Sequence, residues 1–445
     1  MSHRNNLPLF LSFCLACLIP ADAGAAAPAG DGGGLFGTGS VVFIHPDGAS
    51  AAHWAALRYR EAGPDGHLHW DTLEKIGVYR GHQEDNASTS SHAGATAHAY
   101  GKKVPTDSYG MRGTAPLEAL SGSSDSIMGE AARAGIPVGL IQSGHIAEPG
   151  TGVFATSSDS RGKAAAIAAG VIARDFPLCF AGGEVMLLPE GEMGRHGEPG
   201  IRTDGRNLIE EAREAGYTVV FDRAGLNALN PAGAEKVLGV FAARDTYYDQ
   251  SEEALAAAGL PLFEPGAPTV AEMTRFALEF FAAKDRAFFL VVEEEGTDNF
   301  SNNVNASGML EALARADDAI GETLAHMRHA PQTLLLTAAD SNAGGPALYQ
   351  VRDPAMFDAP LPAESEWAAM IDGRAGTETP PFAAAPDANG NRLRFGIAWS
   401  GKGDYAGGVV AKAHGLNAHM LPNNVQNTDI YRLMYATLFG RTPER

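Results

Sequence analysis

The sequence predicts an α/β fold, a mostly parallel central sheet with helices on both faces. Three observations lead there. Continuous apolar runs such as SVVFIH (40–45), FFLVVE (288–293) and TLLLTAAD (333–340) read as strands buried on both sides. They alternate with segments of helical pattern. Acidic residues stand just past several of them, at the strand ends where open α/β sheets collect ligands.

Taken in order, residues 1–23 have the form of a secretory signal. His3 and Arg4 precede the apolar LPLFLSFCLACLI, and Ala21-Asp22-Ala23 gives a small-x-small cleavage site. The apolar stretch is too short to persist as a membrane-spanning helix. No integral membrane segment is therefore expected after its removal, and the mature chain is expected in the periplasm or outside the cell. A lipoprotein reading through Cys17 is weakened by the absence of Leu three residues before it. Residues 24–39 read as a flexible Gly-rich linker, and 40–445 as one folded domain.

The first strand, 40–45, runs into Pro46-Asp47-Gly48. In SSHAGATAHAYGKK (90–103) small residues recur, so a helix there can lie very close to the sheet, with Ser91 at its N-terminus. That end of a helix favours phosphate oxygens, although a plain N-cap serves the same residue type. SIMGEAARAG then PVGLIQ (137–142), LIEEAREAG then YTVVF (217–221), and TRFALEFFA then FFLVVE each read as helix, turn and strand, with KVLGVF (236–241) a further strand. Leu310, Leu313, Ile320 and Leu324 keep helical spacing between Met309 and Met327. The Pro-, Ala- and Gly-rich stretch 346–395 reads as an irregular surface insertion, and 396–415 as a hairpin-like return.

The chain has 445 residues and a formal net charge of −20. That disfavours nucleic acid and anionic membranes as partners, and anionic substrates too unless bound cations reverse the sign locally. Of three cysteines, Cys14 and Cys17 fall within the signal, so only Cys179 remains. The mature chain then forms no internal disulfide and no thiolate zinc site; metal ligands must be oxygen or nitrogen.

VVEEEGTDNFSNN (291–303) takes an apolar strand into three glutamates, an aspartate and, four residues on, Asn302. Asp47, Glu293 and Asp340 each follow an apolar strand. Any one of them serves as a turn or cap; three on one sheet edge would repel, and cations are the simplest remedy.

In this order the motifs resemble the alkaline phosphatase family: Asp-Gly after the first strand, Ser in an A-T-A-x-A-x-G helix, E-x4-D, T-A-A-D, and a late His-Gly before an N-T-D-I helix. The likeness runs from about Val41 to Phe439. It implies Ser91 as nucleophile and Arg161 in SSDSRG as the phosphate clamp. It implies Asp47, Asp340 and Ser341 around an inner metal, and Asp298, Asn302 and His414 around an outer one. For a third site it implies Asp47, Glu293 and either Glu148 or Thr151, in EPGT. The chain departs from the family where Ser90 replaces an Asp, where Gly150 replaces Thr or Ser, and where Asn302 and Ser341 replace histidines. Oxygen-rich sites favour Mg²⁺, Ca²⁺ or Mn²⁺ over Zn²⁺, unless His45, His92, His98 or His145 compensates. The resemblance implies a metal-dependent hydrolase of small-molecule phosphate monoesters, and a homodimer. A phosphodiesterase or sulfatase, and a non-catalytic phosphate-ester or metal binder, are the competing classes.

Overall fold

The structure, a computed structural model, describes residues 36–443. The expected signal, most of the expected linker, Cys14 and Cys17 lie outside the described residues. Phe36 and Gly39, at the end of that linker, are tied to the Gly440 and Thr437 carbonyls by their N–H groups.

Among the described residues, ten strands form one sheet. In spatial order they are Asn424–Gln426, Lys75–Arg80, Val410–Gly415, Thr333–Thr337, Ser40–Pro46, Phe289–Glu294, Val138–His145, Leu178–Gly182, Val237–Val240 and Thr218–Val220. All run in parallel except Val410–Gly415, which is antiparallel to both its neighbours. The central strands are buried along their whole length, as continuous apolar runs require.

Side chains alternate between the two faces. Phe43 and His45 point toward the helices Ser91–Tyr100 and Pro149–Ala155; Phe43 meets the His98 ring at 5.3 Å and Phe154 at 6.3 Å. The helices Val270–Ala282 and Ala306–Met327 pack on one another and cover the other face, where Arg315 reaches Glu294. Every residue of Ser91–Tyr100 is buried. Its alanines and glycine allow that depth, and Gly101, with φ 68°, ends it in the left-handed conformation.

The stretch 346–395 is not irregular. Pro346–Val351 pairs with Arg394–Trp399, which also pairs with Met370–Gly373 and Phe382–Ala383, over a small apolar cluster of Val351, Leu361 and Ile371. The partners are distant in sequence and separated by Pro and Gly, so no local period marks them. Nor is 396–415 one hairpin: its first strand belongs to this small sheet and its last to the main one. No described helix is long and apolar enough to cross a membrane.

Candidate functional site

Sheet register builds the first part of the site. Gln142, Glu293 and His45 are partners on three adjacent strands, so their side chains share a face. Asp47 follows two residues after His45 and is fully buried. His45 Nδ1 donates to the Ala338 carbonyl at 2.7 Å. Its Nε2 lies 3.2 Å from Asp47 Oδ1 and 3.9 Å from Glu293 Oε1. The shorter contact is close enough to attract, but it lacks hydrogen-bond angles, and Nε2 has no partner. Gln142 donates to Glu293 Oε2, leaving Oε1 free.

The helix Gly296–Asn302 supplies the second part. The carboxylates of Asp47, Glu295 and Asp298 lie within 4.8 Å of one another. Asn302 Nδ2 donates to Asp298 Oδ2 at 2.9 Å and to Asp404 Oδ1 at 3.2 Å, while its Oδ1 accepts from the Gly344 N–H at 3.3 Å. Asn302 thus holds two carboxylates in place rather than offering an oxygen ligand, as the resemblance implied. Between two carboxylates, a donor is the group that lowers the energy.

Asp340 and Ser341 lie in the loop after Thr333–Thr337, buried, with both Asp340 oxygens and the Ser341 hydroxyl unpartnered. The helix starting at Ser91 presses on this loop. A Cβ at Gly94, three residues on and on the same helical side, would collide with the Asp340 side chain. Ser91 stands one turn earlier on that side of the helix. Beside it, burial and the nearby Arg161 charge bring the His92 ring down to about 4, so it is neutral.

Glu148 does not join the third group. His145 Nε2 lies 2.8 Å from one of its oxygens and Arg161 Nη2 2.7 Å from the other. These cations outweigh burial and hold its carboxyl at about 2. Thr151 accepts from Gln142 Nε2 at 3.4 Å, the same nitrogen that donates to Glu293. The other alternative histidines are engaged: His98 pairs with the Tyr79 hydroxyl at 2.6 Å, and His145 with Glu148.

His414 is not at this site. Its strand is antiparallel to Thr333–Thr337, and it pairs with Leu335, level with Val42 and five positions before Asp47. At about 3.3 Å per residue, that is on the order of 16 Å back along the sheet. The His-Gly motif matched, but the strand runs the opposite way. The missing carboxylate is Asp404, in the short strand Asp404–Tyr405 that pairs with Asn342–Ala343. Glu295, Gln142 and Asp404 were not singled out from sequence. Glu295 stood in the EEE run; Asp404 had no local signal.

Electrostatics define what this arrangement can hold. Burial, then neighbouring carboxylates, push Glu295, Asp298 and Asp340 well above the usual range. Burial brings Glu293 to about 8, with Asp47 adding to the rise against His45. Asp47 goes the other way: burial would raise it, but His45 beside it holds it low. Burial also opposes charge on His45, yet Asp47 and Glu293 bring it to about 9. The unpartnered buried atoms include Asp47 Oδ2, Glu293 Oε1, Glu295 Oε2, Asp298 Oδ1 and both Asp340 oxygens. Such groups are costly unless paired or bound to cations. The donors fit divalent ions, and being almost all oxygen they fit hard ones: Asp47, Asp340 and Ser341 on the inner side, Asp298, Asp404 and Glu295 on the outer.

The alkaline phosphatase family model matches residues 39–438. Streptomycin-6-phosphate phosphatase of Streptomyces griseus is 28% identical over 391 residues, covering 78% of this chain and 83% of its own. The fold is that of alkaline phosphatase from Thermus thermophilus, with TM-score 0.71 at 20% identity, covering 94% of this chain and 97% of that one. The enzyme from the Antarctic bacterium TAB5 superposes with TM-score 0.68 at 19% identity, over 91% and 99% of the two chains.

Proposed function

The chain belongs to the alkaline phosphatase family, and from that premise we propose that it is an exported phosphomonoesterase that requires divalent metal ions and works through a phosphoserine on Ser91. It is a phosphatase-type hydrolase by membership. One observation carries the finer reading: the N-terminus of the Ser91 helix abuts a buried group of carboxylates that have too few cations of their own.

Ser91 Oγ attacks phosphorus, the new P–O bond forms as the ester P–O bond breaks, and the leaving alkoxide takes up a proton. Water then cleaves the phosphoserine to release phosphate and free Ser91. The first N–H groups of the Ser91 helix lack helical partners and favour the phosphate oxygens. Arg161 binds them with its planar fork; Glu148 holds one guanidinium nitrogen and so sets the plane of the rest. Neutral His92 beside Ser91 adds no competing charge. Asp47, Asp340 and Ser341, and Asp298, Asp404 and Glu295, would hold the ions. Bound there, divalent cations would neutralise phosphate charge and lower the barrier to ionising the serine hydroxyl.

Small-molecule phosphate monoesters are the proposed substrates, in keeping with the relative named streptomycin-6-phosphate phosphatase. The test is phosphate release from an aryl phosphate and from an aryl phosphodiester, with acid trapping of the intermediate. A labelled peptide containing Ser91 and a preference for the monoester support the reading. A label elsewhere, or faster diester cleavage, refutes it. Homodimer formation belongs to the same proposal and is read by light scattering.

A further inference from the structure

We infer that His45 is a metal ligand, and that the position between His45, Asp47 and Glu293 takes a transition-metal ion such as Mn²⁺, in preference to Mg²⁺ or Ca²⁺. The inference rests on the proposed function only in needing this cluster to bind divalent ions.

The register is the first argument. His45 and Glu293 are cross-strand partners at the mouth of the sheet, and Asp47 follows on the same face. His45 Nε2, Asp47 Oδ1 and Glu293 Oε1 converge, all within 4.8 Å. Two donors each about 2.1 Å from one ion stand roughly 3–4 Å apart, and the observed separations from Nε2 are 3.2 and 3.9 Å.

The tautomer is the second. A carbonyl can only accept, so the Nδ1 atom facing Ala338 carries a hydrogen, and in the neutral ring Nε2 presents its lone pair. A backbone carbonyl behind the ring is the arrangement that orients metal-binding histidines. The imidazole is 1% exposed, and Nε2 has no hydrogen-bond partner although Asp47 is near. A bound cation would take the place of any proton that the neighbouring carboxylates hold on Nε2.

The third argument is space. Gln142 occupies Glu293 Oε2 and leaves Oε1 unpartnered. Beside Oε1 stands Gly150, where any Cβ would collide with the carboxylate. The helix start therefore supplies no side-chain ligand there, Glu148 is spent on His145 and Arg161, and the histidine supplies the remaining donor. One imidazole with two carboxylates suits Mn²⁺ or its first-row neighbours better than ions that prefer oxygen alone.

The test uses metal-free full-length protein loaded with Mn²⁺. Pulsed electron paramagnetic resonance detects ¹⁴N of an imidazole bound directly to the ion. We expect that coupling in the native protein, its loss in His45→Gln, and at least a tenfold weaker affinity for one Mn²⁺ per chain in the variant. In the native protein Mg²⁺ should compete poorly for that ion. Stoichiometric Mn²⁺ without ¹⁴N coupling overturns the inference and leaves the phosphatase reading standing. Coupling that survives in His45→Gln overturns it by pointing to another histidine. If no divalent ion binds, both this inference and the metal requirement of the proposed function fail. If His45→Gln does not fold, His45→Asn serves as the variant, and a native spectrum without ¹⁴N coupling overturns the inference by itself.

Discussion

Glu293 and Glu294 are adjacent on one strand and point to opposite faces of the sheet. Glu294 meets Arg315 through two contacts, at 3.1 and 3.2 Å, and both side chains are buried. Glu293 meets a glutamine, a histidine and other carboxylates, and keeps an oxygen with no partner. A carboxylate buried for architecture comes with its cation built into the chain. One buried for binding is left short of positive charge, and the shortfall is what a ligand must supply. The face toward the Ser91 helix is therefore chemically poised, while the face toward Ala306–Met327 is closed.

The comparison breaks most visibly at Ser91. Ser91→Ala should lower turnover by at least about 10³-fold, as removal of a nucleophile does, with circular dichroism unchanged; near-native rates would end its assignment. Chelation comes next. It should abolish turnover, and Mg²⁺, Ca²⁺ or Mn²⁺ should restore it better than Zn²⁺ in metal-free protein. Full recovery with zinc alone would mean that the donor set has been misread.

A third experiment sets the two faces against each other by thermal unfolding. Arg315→Met leaves Glu294 buried and unpaired, and should cost about 3–5 kcal/mol of stability while metal content stays the same. Asp340→Asn on the opposite face should raise the melting temperature of the metal-free protein, because it removes a buried charge among like charges, yet lower its metal content. If both substitutions destabilise equally, the two faces do not differ as described.

Arg161→Ala should weaken inhibition by inorganic phosphate by about 1.5–3 kcal/mol, the range for a charge-assisted contact, with turnover still measurable. The smallest effect is on pH. Glu293 rises to about 8 from 4.5, and His45 to about 9 from 6.5. Each folded-state value lies above its unfolded one, so the folded protein binds more protons, and the stability it gains is lost as pH rises. The melting temperature of the metal-free protein should fall between about pH 6.5 and 9, above the range in which the buried His53, His92 and His98 act in the opposite sense, and a bound divalent ion should flatten the slope. A rise over that window would contradict the burial of Glu293.

Much of this was legible in the sequence because strand burial leaves continuous apolar runs. Those runs gave the parallel sheet, and their ends placed Asp47, Glu293 and Asp340 on one edge. Ser91 was legible from the small residues that let its helix lie so deep. What escaped depended on partners far apart in the chain. Asp404 reaches Asn302 only because a two-residue strand pairs with Asn342–Ala343. His414 was misplaced because a motif carries no strand direction, and Val410–Gly415 runs against its neighbours. Gln142 and His45 owe their roles to register, which no single stretch displays.

Gly94 and Gly150 bear on how this site can change over generations. Each lends bare backbone to a carboxylate, Asp340 and Glu293 respectively, where even a methyl group would collide. The mildest replacement, glycine to alanine, would thus move a carboxylate and not merely crowd a helix. A saturation-mutagenesis map of the gene should show that Gly94 and Gly150 accept glycine alone. Such positions make drift at the site abrupt: variants keep the carboxylate where it is or lose the activity in one step, with few intermediates for selection to improve.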